Sequence, residues 1–271
     1  MDFLIDDDTP FDVAVPSWAS RGYVERDYNE SPLEMFAAPR DLPLIPRSEW
    51  DARIAEQEAL QSSLEHIRLT ANDGKAIPSL DQDGYGYCWS HSTVHALMLT
   101  RAVANQPYVP LSAFAVAAII KGYQNQGGWC GLSAQFLRER GCPSQKFWAQ
   151  KSMSRSNDNA ETWANAALHK VTEDWVDLTI PVWGQNLTFD QVATCLLCNI
   201  PVALDFNWWG HSVAGLRLVK VEDGSYGIKI WNSWYAGAGV EWGDRGMAVL
   251  RGNRAVPNGA VALRVSGASA A

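Results

Sequence analysis

The segment of this sequence that could do chemistry runs from Gln82 to Trp89. A glycine-rich loop there carries Cys88 to the first turn of a predicted helix. The start of a helix bears a partial positive charge, which favours the cysteine thiolate over the thiol, and the thiolate is the competent nucleophile. The side-chain amide of Gln82, six residues before the cysteine, can donate to an oxyanion together with the backbone N–H of Cys88. The segment therefore predicts nucleophilic acyl chemistry.

A candidate base and a candidate orienting group come much later in the chain. His211 lies between a predicted helix and a predicted strand, and Asn232 follows it by 21 residues. The side-chain oxygen of Asn232 can accept a hydrogen bond from one ring N–H of His211 and so fix the tautomer that faces the thiol. The neighbouring Trp234 can shield that hydrogen bond from water. A Cys-His-Asn set is therefore expected at one site.

These motifs, in this order, resemble those of the papain-like cysteine peptidases. The Gln-x-x-x-Gly-x-Cys-Trp pattern of that family is matched in full by Gln82, Gly86, Cys88 and Trp89. Two later motifs also have counterparts, the Asn-Ser-Trp segment at 232–234 and a Trp-Gly-x-x-Gly turn at 242–246. The resemblance covers about residues 78–252.

The resemblance implies an α+β, papain-like two-lobe fold. A helical lobe would carry the cysteine helix, an antiparallel β-sheet or barrel lobe would carry the histidine and asparagine, and the active-site cleft would lie between them. The expected organisation is an acidic, proline-rich N-terminal arm at 1–47, a helical lead-in at 48–77, a peptidase domain at 78–265 and a tail at 266–271. Within the domain, the helical lobe would span about 78–170 and the sheet lobe about 171–265.

The resemblance also assigns roles to individual residues. Cys88 would be the nucleophile, His211 the base, Asn232 its orienting partner and Gln82 an oxyanion donor. The expected substrate-binding residues are Gly127, Gly128, Trp208, Trp209 and Gly210, and the expected structural residues around the site are Gly86, Trp89 and Trp234. No metal or cofactor is predicted, and the expected partner is a polypeptide substrate.

The periodicity of apolar residues predicts helices first and strands later. The predicted helices are 49–69, 88–104, 112–120, 132–140 and 188–199. The predicted strands are 202–206, 213–221, 226–231, 247–250 and 261–265, with a hairpin turn at Asp223 and Gly224.

The composition excludes several classes of protein. Of 271 residues, 47% are apolar and 19% charged, which is typical of a globular chain rather than a disordered one. The net charge of −8 resides mostly in the first 40 residues, so no basic face predicts binding to nucleic acid or to membranes. The chain begins with no basic, apolar leader, and a cytoplasmic or virion-associated location is expected.

Five cysteines are too few for a disulfide scaffold, and their odd number leaves at least one thiol unpaired. Cys130 and Cys142 could pair, although buried free thiols are favoured in a reducing compartment. Cys195 and Cys198 share one helix face and are interpreted as core thiols rather than half of a metal site.

Two departures from the family pattern leave alternatives open. Tyr85 stands where the family has a cysteine, so the corresponding disulfide cannot form, and no segment resembles the family's long helical propeptide. The arm at 1–47 could inhibit in another way or dock on a protein partner. The alternatives to a peptidase are a structural or assembly component, for example of a virion, and another thiol acyl transferase such as a transglutaminase.

Overall fold

The computed structural model describes residues 3–31, 44–171, 175–179, 188–234 and 246–263. The α-helices in these ranges are α1 (Phe11–Ala14), α2 (Trp50–Leu60), α3 (Leu64–Thr70), α4 (Cys88–Val103), α5 (Ala113–Ile120), α6 (Cys130–Glu139), α7 (Ala160–Ala166) and α8 (Thr188–Leu197). Short 3-10 turns occupy Arg47–Glu49, Arg155–Asn157 and Gly252–Ala255.

The strands of the described part form one sheet of seven. They are β1 (Leu4–Ile5), β2 (Trp175–Asp177), β3 (Val202–Phe206), β4 (His211–Lys220), β5 (Tyr226–Trp231), β6 (Met247–Arg251) and β7 (Gly259–Leu263). The strand order is β1-β6-β5-β4-β3-β7-β2, and every pair is antiparallel except β1 with β6. The predicted α+β class is confirmed.

The centre of the sheet is covered on both faces. All five residues of β3 are buried, and consecutive side chains of a strand point to opposite faces, so each face must be packed against something. Both α4 and α8 pack on β3 and β4. The cysteine helix therefore lies directly on the strand that begins with His211.

Most predicted elements are confirmed, with shifted ends, but the single helix predicted at 49–69 is wrong. The chain forms α2 and α3 instead, because Gln61 adopts a left-handed conformation with φ 51° and ends α2. The Ser63 side chain then accepts a hydrogen bond from the His66 N–H and caps α3. The pattern also missed α7 and β2, which are short elements.

The N-terminal arm was predicted to be extended throughout, but it contains the short helix α1. Its first described residues form β1, which pairs with β6 through Leu4 opposite Val249 and Ile5 opposite Leu250. Ile5 is fully buried, and Asp6 forms a 2.6 Å ion pair with Arg251. The arm is therefore part of the sheet, and the acidic residue near its start is paired with the body.

No helix in the described ranges is long and apolar enough to cross a membrane. All five cysteines lie in those ranges and none forms a disulfide there, so Cys130 and Cys142 do not pair.

A buried group of charges joins α3 to the sheet. One carboxylate oxygen of Glu65 lies 2.8 Å from Arg217 Nε on β4, and the other lies 2.6 Å from Lys229 Nζ on β5. The side chains of Glu65 and Lys229 are only 8% and 6% exposed. Removing one member of such a group leaves its partners desolvated, which costs far more than losing a surface pair.

We expect Glu65→Gln to lower the free energy of unfolding by about 3–5 kcal/mol, because the buried Lys229 ammonium loses this carboxylate, while the partly buried Arg217 still pairs with Glu58. Urea unfolding followed by tryptophan fluorescence measures this. The matched control is Glu56→Gln on the exposed face of α2, where Glu56 lies 3.8 Å from Arg53 and a change within about 0.5 kcal/mol is expected. Equal midpoints for the two variants would contradict the role of the buried group.

Candidate active site

Cys88 is the first residue of α4, at the end of a loop that its own hydrogen bonds hold rigid. Asp83 has a φ of 53°, and its N–H donates to Asp81 Oδ1 at 2.9 Å. The Gly86 N–H donates to Asn125 Oδ1 at 2.8 Å, and Trp89 Nε1 donates to the Gly86 carbonyl at 3.1 Å. The loop therefore fixes the position of Cys88 at the start of the helix and the direction in which its side chain projects.

His211 and Asn232 form a buried hydrogen-bonded pair. His211 begins β4, Asn232 follows the end of β5, and the distance from His211 Nε2 to Asn232 Oδ1 is 2.7 Å. The other ring nitrogen, Nδ1, is buried and has no hydrogen-bond partner among the described residues. The ring centroid of Trp234 lies 4.2 Å from that of His211. One nitrogen of His211 is thus held by the amide, and the other is available for a proton.

Gln82 is hydrogen-bonded to Ser233, the residue that follows Asn232. Its backbone N–H donates to the Ser233 carbonyl at 3.0 Å, and its Oε1 accepts from Ser233 Oγ at 2.6 Å. Ser212, the residue after His211, lies close enough to the Cys88 thiol to lower its pKa. The structure therefore brings Cys88, His211, Asn232 and Gln82 to one place, where α4 meets the sheet.

Residues 20–24 of the arm, which we call the covering segment, lie across this place. Gln82 Nε2 donates to the Ser20 carbonyl at 3.2 Å and to Ser20 Oγ at 3.1 Å, as well as to the Tyr85 carbonyl at 2.8 Å. Trp234 Nε1 donates to the same Ser20 carbonyl at 2.7 Å. Arg21 Nη1 donates to the Trp209 carbonyl at 3.2 Å.

The main chain of the covering segment pairs with the predicted substrate-binding glycines. Gly128 N–H donates to the Gly22 carbonyl at 2.9 Å, and its carbonyl accepts from Val24 N–H at 2.9 Å. Between them, Tyr23 N–H donates to the Gly210 carbonyl at 3.1 Å. The approach is so close that a Cβ on Gly22 would lie 2.0 Å from the Gly86 carbonyl oxygen.

Burial shifts the pKa values of both Cys88 and His211 in this covered site. Desolvation raises the pKa of Cys88 to about 12, with a smaller rise from the charge of Asp205, while hydrogen bonds from Ser212 and Gly22 oppose it. Desolvation likewise lowers the pKa of His211 to about 3, against the stabilising hydrogen bond of Asn232. The covered site therefore holds a neutral thiol and a neutral imidazole, although the helix start favours the thiolate.

The remaining predicted site residues lie close to this arrangement. Trp209 is buried with its ring 5.0 Å from His211, whereas Trp208 stacks on Trp209 and donates to the Arg254 carbonyl at 3.2 Å. A Cβ on Gly127 would meet Gly22 and Val24 at 2.5 Å. The turn predicted at 242–246 falls outside the described residues except for Gly246, whose carbonyl accepts from Asn232 N–H.

Sequence reasoning missed Asp205 and the covering segment. Asp205 is buried within β3 and accepts from the N–H and thiol of Cys130 and from Ser212 Oγ, at 3.1, 3.0 and 2.5 Å. Desolvation raises its pKa to about 6. A single acid inside the otherwise apolar run 202–206 was a signal for a buried polar site, whereas nothing in 20–24 marked it as a partner of Cys88.

The fold has known counterparts, although no protein-family model and no curated protein matches the chain. Xylellain, a cysteine protease from Xylella fastidiosa, matches with TM-score 0.57 at 14% identity, over 92% of this chain and 97% of its own. Procathepsin B S9 from Trypanosoma congolense gives 0.56 at 14% identity, covering 90% and 86%. Digestive procathepsin L 3 from Tenebrio molitor gives 0.54 at 16%, covering 80% and 90%. The fold is that of the papain-like cysteine proteases, as predicted.

We expect alkylation of Cys88 by iodoacetamide to be slow at pH 7 and to rise steadily to pH 10, because the thiol is buried beneath the covering segment and its pKa of about 12 keeps the thiolate scarce. Peptide mapping by mass spectrometry measures this thiol separately from the half-buried Cys198. The same chain unfolded in urea supplies the control, in which the rate levels off near the ordinary cysteine pKa of about 8.5. A native rate that is already level at pH 7 would show a stabilised thiolate and contradict the prediction.

Proposed function

We propose that this protein is a cysteine peptidase that hydrolyses peptide bonds through a thioester on Cys88, and that the covering segment holds it inactive. The proposal is supported by what occupies the site, which is the covering segment itself. An extended piece of polypeptide lies against the thiol with its main chain held by Gly128 and Gly210. A site that holds a peptide main chain beside a nucleophile suits peptide-bond chemistry better than it suits a small molecule.

In the proposed first step, the thiol proton of Cys88 passes to His211 Nδ1, and the sulfur attacks the carbonyl carbon of the substrate. Negative charge develops on the carbonyl oxygen, where Gln82 Nε2 and the Cys88 N–H would donate hydrogen bonds. The His211 imidazolium then gives its proton to the leaving amine, and the carbon–nitrogen bond breaks. Asn232 keeps the ring in one orientation throughout, through the 2.7 Å hydrogen bond.

In the second step, His211 takes a proton from water, the hydroxide attacks the thioester, and the acid leaves as the Cys88 thiol is restored. If an amine attacked instead of water, the same residues would perform acyl transfer. Product analysis therefore distinguishes the peptidase from the transferase.

The covering segment is held without being positioned for cleavage. Gln82 Nε2 contacts the carbonyl of Ser20, which belongs to the peptide bond between residues 20 and 21. The main chain of Gly22, whose N–H belongs to the next peptide bond, lies close enough to the thiol to lower its pKa. The carbonyl that Gln82 polarises and the peptide group that acts on the thiol are thus different, whereas attack requires both at one peptide group. The arm can therefore remain in the site as an inhibitor.

Because a Cβ on Gly22 would collide with the Gly86 carbonyl, we expect Gly22→Val in the full chain to expel the covering segment. Overpacking of this kind costs about 1–3 kcal/mol, so the uncovered fraction should rise roughly 5- to 150-fold. Labelling of Cys88 by an epoxide inhibitor and hydrolysis of casein or a dipeptidyl fluorogenic substrate should both rise accordingly.

The matched control is Gly84→Ala on the neighbouring loop, where an added Cβ meets nothing within 4 Å. It should behave as the natural chain does. Adding Cys88→Ala to Gly22→Val should abolish hydrolysis. Hydrolysis that persists without the thiol would rule out the proposed mechanism, and labelling without any hydrolysis would leave an accessible cysteine that is not a peptidase nucleophile.

Gln82→Glu tests the oxyanion role separately. Glutamate keeps the oxygen that accepts from Ser233 but removes the Nε2 donor. In the Gly22→Val chain we expect kcat to fall by about 10²–10³, the usual effect of losing one oxyanion donor. Labelling of Cys88 by iodoacetamide, which needs no oxyanion donor, should remain within a few-fold. An undiminished kcat would remove Gln82 from the mechanism.

A further inference from the structure

Beyond the covering segment, the arm places one arginine in a pocket of the body. Arg26 Nη1 forms an ion pair with Asp177 Oδ2, and the side chains of Arg26 and Asp177 are only 10% and 4% exposed. The Arg26 guanidinium carbon lies 4.5 Å from the centroid of the Trp129 ring. Two further partners, the Ser31 carbonyl and the Tyr28 ring, belong to the arm itself. Within the described ranges, the body therefore contributes a carboxylate and an aromatic face.

Both body residues are held in position without the arm. Asp177 lies on β2 opposite Val261, and its Oδ1 accepts from the Thr179 N–H at 3.0 Å, which leaves Oδ2 directed at the arginine. The Trp129 ring packs edge-on against Trp175 with their centroids 6.2 Å apart. A fixed carboxylate beside a fixed aromatic face is suited to a planar guanidinium, which pairs with the first and stacks on the second.

The surroundings add negative charge. Asp177 is close enough to Asp205 that it contributes, after burial, to the raised pKa of that carboxyl. Asp205 likewise contributes, after burial, to the raised pKa of Tyr23 in the covering segment. The two buried acids, Asp177 and Asp205, therefore make the potential negative where residues 23–26 of the arm lie. A cation is favoured there over a neutral group.

This pocket is continuous with the place where a peptide main chain is held. Trp129 directly follows Gly128, whose carbonyl binds the Val24 N–H. Arg26 is two residues beyond that bond, a distance of about 7 Å along an extended chain. Any peptide paired with Gly128 can therefore bring a side chain into the same pocket.

We propose that Asp177 and Trp129 form a guanidinium-binding subsite, filled by Arg26 while the arm covers the cleft, which takes an arginine side chain of the substrate when the arm has left. The proposal rests on the proposed peptidase function for its substrate, but the binding of a guanidinium group can be measured without it. Arg26 then serves as an internal occupant of a substrate subsite rather than only as an anchor for the arm.

The first test is binding of N-ethylguanidinium to the full chain, followed by NMR of the tryptophan indole signals. Arg26→Ala empties the pocket and should bind the probe saturably and roughly tenfold more tightly than ethylammonium, which cannot stack or pair in the same way. The natural chain, with Arg26 in place, should show little binding. Arg26→Ala combined with Asp177→Asn keeps the oxygen that accepts from Thr179 and should lose the probe.

Binding that is no stronger in both Arg26→Ala and Arg26→Gln than in the natural chain, or that survives Asp177→Asn, would overturn the subsite. Arg26→Gln provides a second emptied variant of similar side-chain size, and circular dichroism checks that each variant is folded. Saturable, Asp177-dependent binding in either emptied variant supports the subsite, even if no peptide is hydrolysed and the proposed peptidase function fails.

The second test compares peptides in the Gly22→Val, Arg26→Ala chain. A pool of peptides that carry arginine at successive positions is matched with the same pool carrying citrulline, which has the same shape without the charge. We expect kcat/KM to favour arginine at one position by at least about tenfold, and Asp177→Asn to remove the preference. Equal hydrolysis of the two pools would overturn the substrate class while leaving the peptidase intact.

Discussion

The burial of α4 is the constraint on which the rest of the molecule depends. Every residue from Cys88 to Thr100 is inside the protein, between β3 and β4 on one side and α3, α5 and α6 on the others. Its polar side chains bond to neighbouring helices: Ser90 Oγ donates to the Ala113 carbonyl of α5, and Thr93 Oγ1 accepts from Ser133 Oγ of α6. A helix enclosed in this way cannot slide or turn without exposing apolar surface or breaking those bonds. The start of the helix is consequently fixed against the start of β4.

The same enclosure explains why Cys88 and His211 are both neutral. Dipole and hydrogen bonds at the helix start favour a thiolate, but removal of water favours the neutral thiol, and burial has the larger effect on Cys88. Residues 20–24 contribute to that burial, because they lie against Gln82, Gly86 and Gly128. The covering segment also replaces water as the partner of Gln82, Gly128 and Gly210, so the site is covered without leaving these polar groups unsatisfied. The contact with residues 20–24 thus both covers the site and favours the neutral thiol of Cys88.

Predictions from the sequence were most accurate where a single local signal was strong. The helix predicted at 112–120 forms as α5, and Ser112 Oγ caps it by accepting from the Ala115 N–H. The Asp223–Gly224 turn joins β4 to β5 as predicted. Predictions failed where the local signal was weak. The residues 49–69 have one continuous helical composition, and only the left-handed Gln61 and the cap at Ser63 divide them. The elements α7 and β2 are too short to show a period.

The sequence by itself determined the residue types and order of the candidate site, because Gln82, Cys88, His211 and Asn232 belong to short motifs whose spacing is local. It also determined the α+β class, through a change in apolar period between the two halves of the chain. Only the tertiary structure decided that Ser20 would accept a hydrogen bond from Gln82, that Asp205 would accept one from Ser212, and that Arg26 would form an ion pair with Asp177. Those contacts join residues from 7 to 151 positions apart. They follow from which surfaces remain to be covered once the core has packed, and no local pattern carries that information.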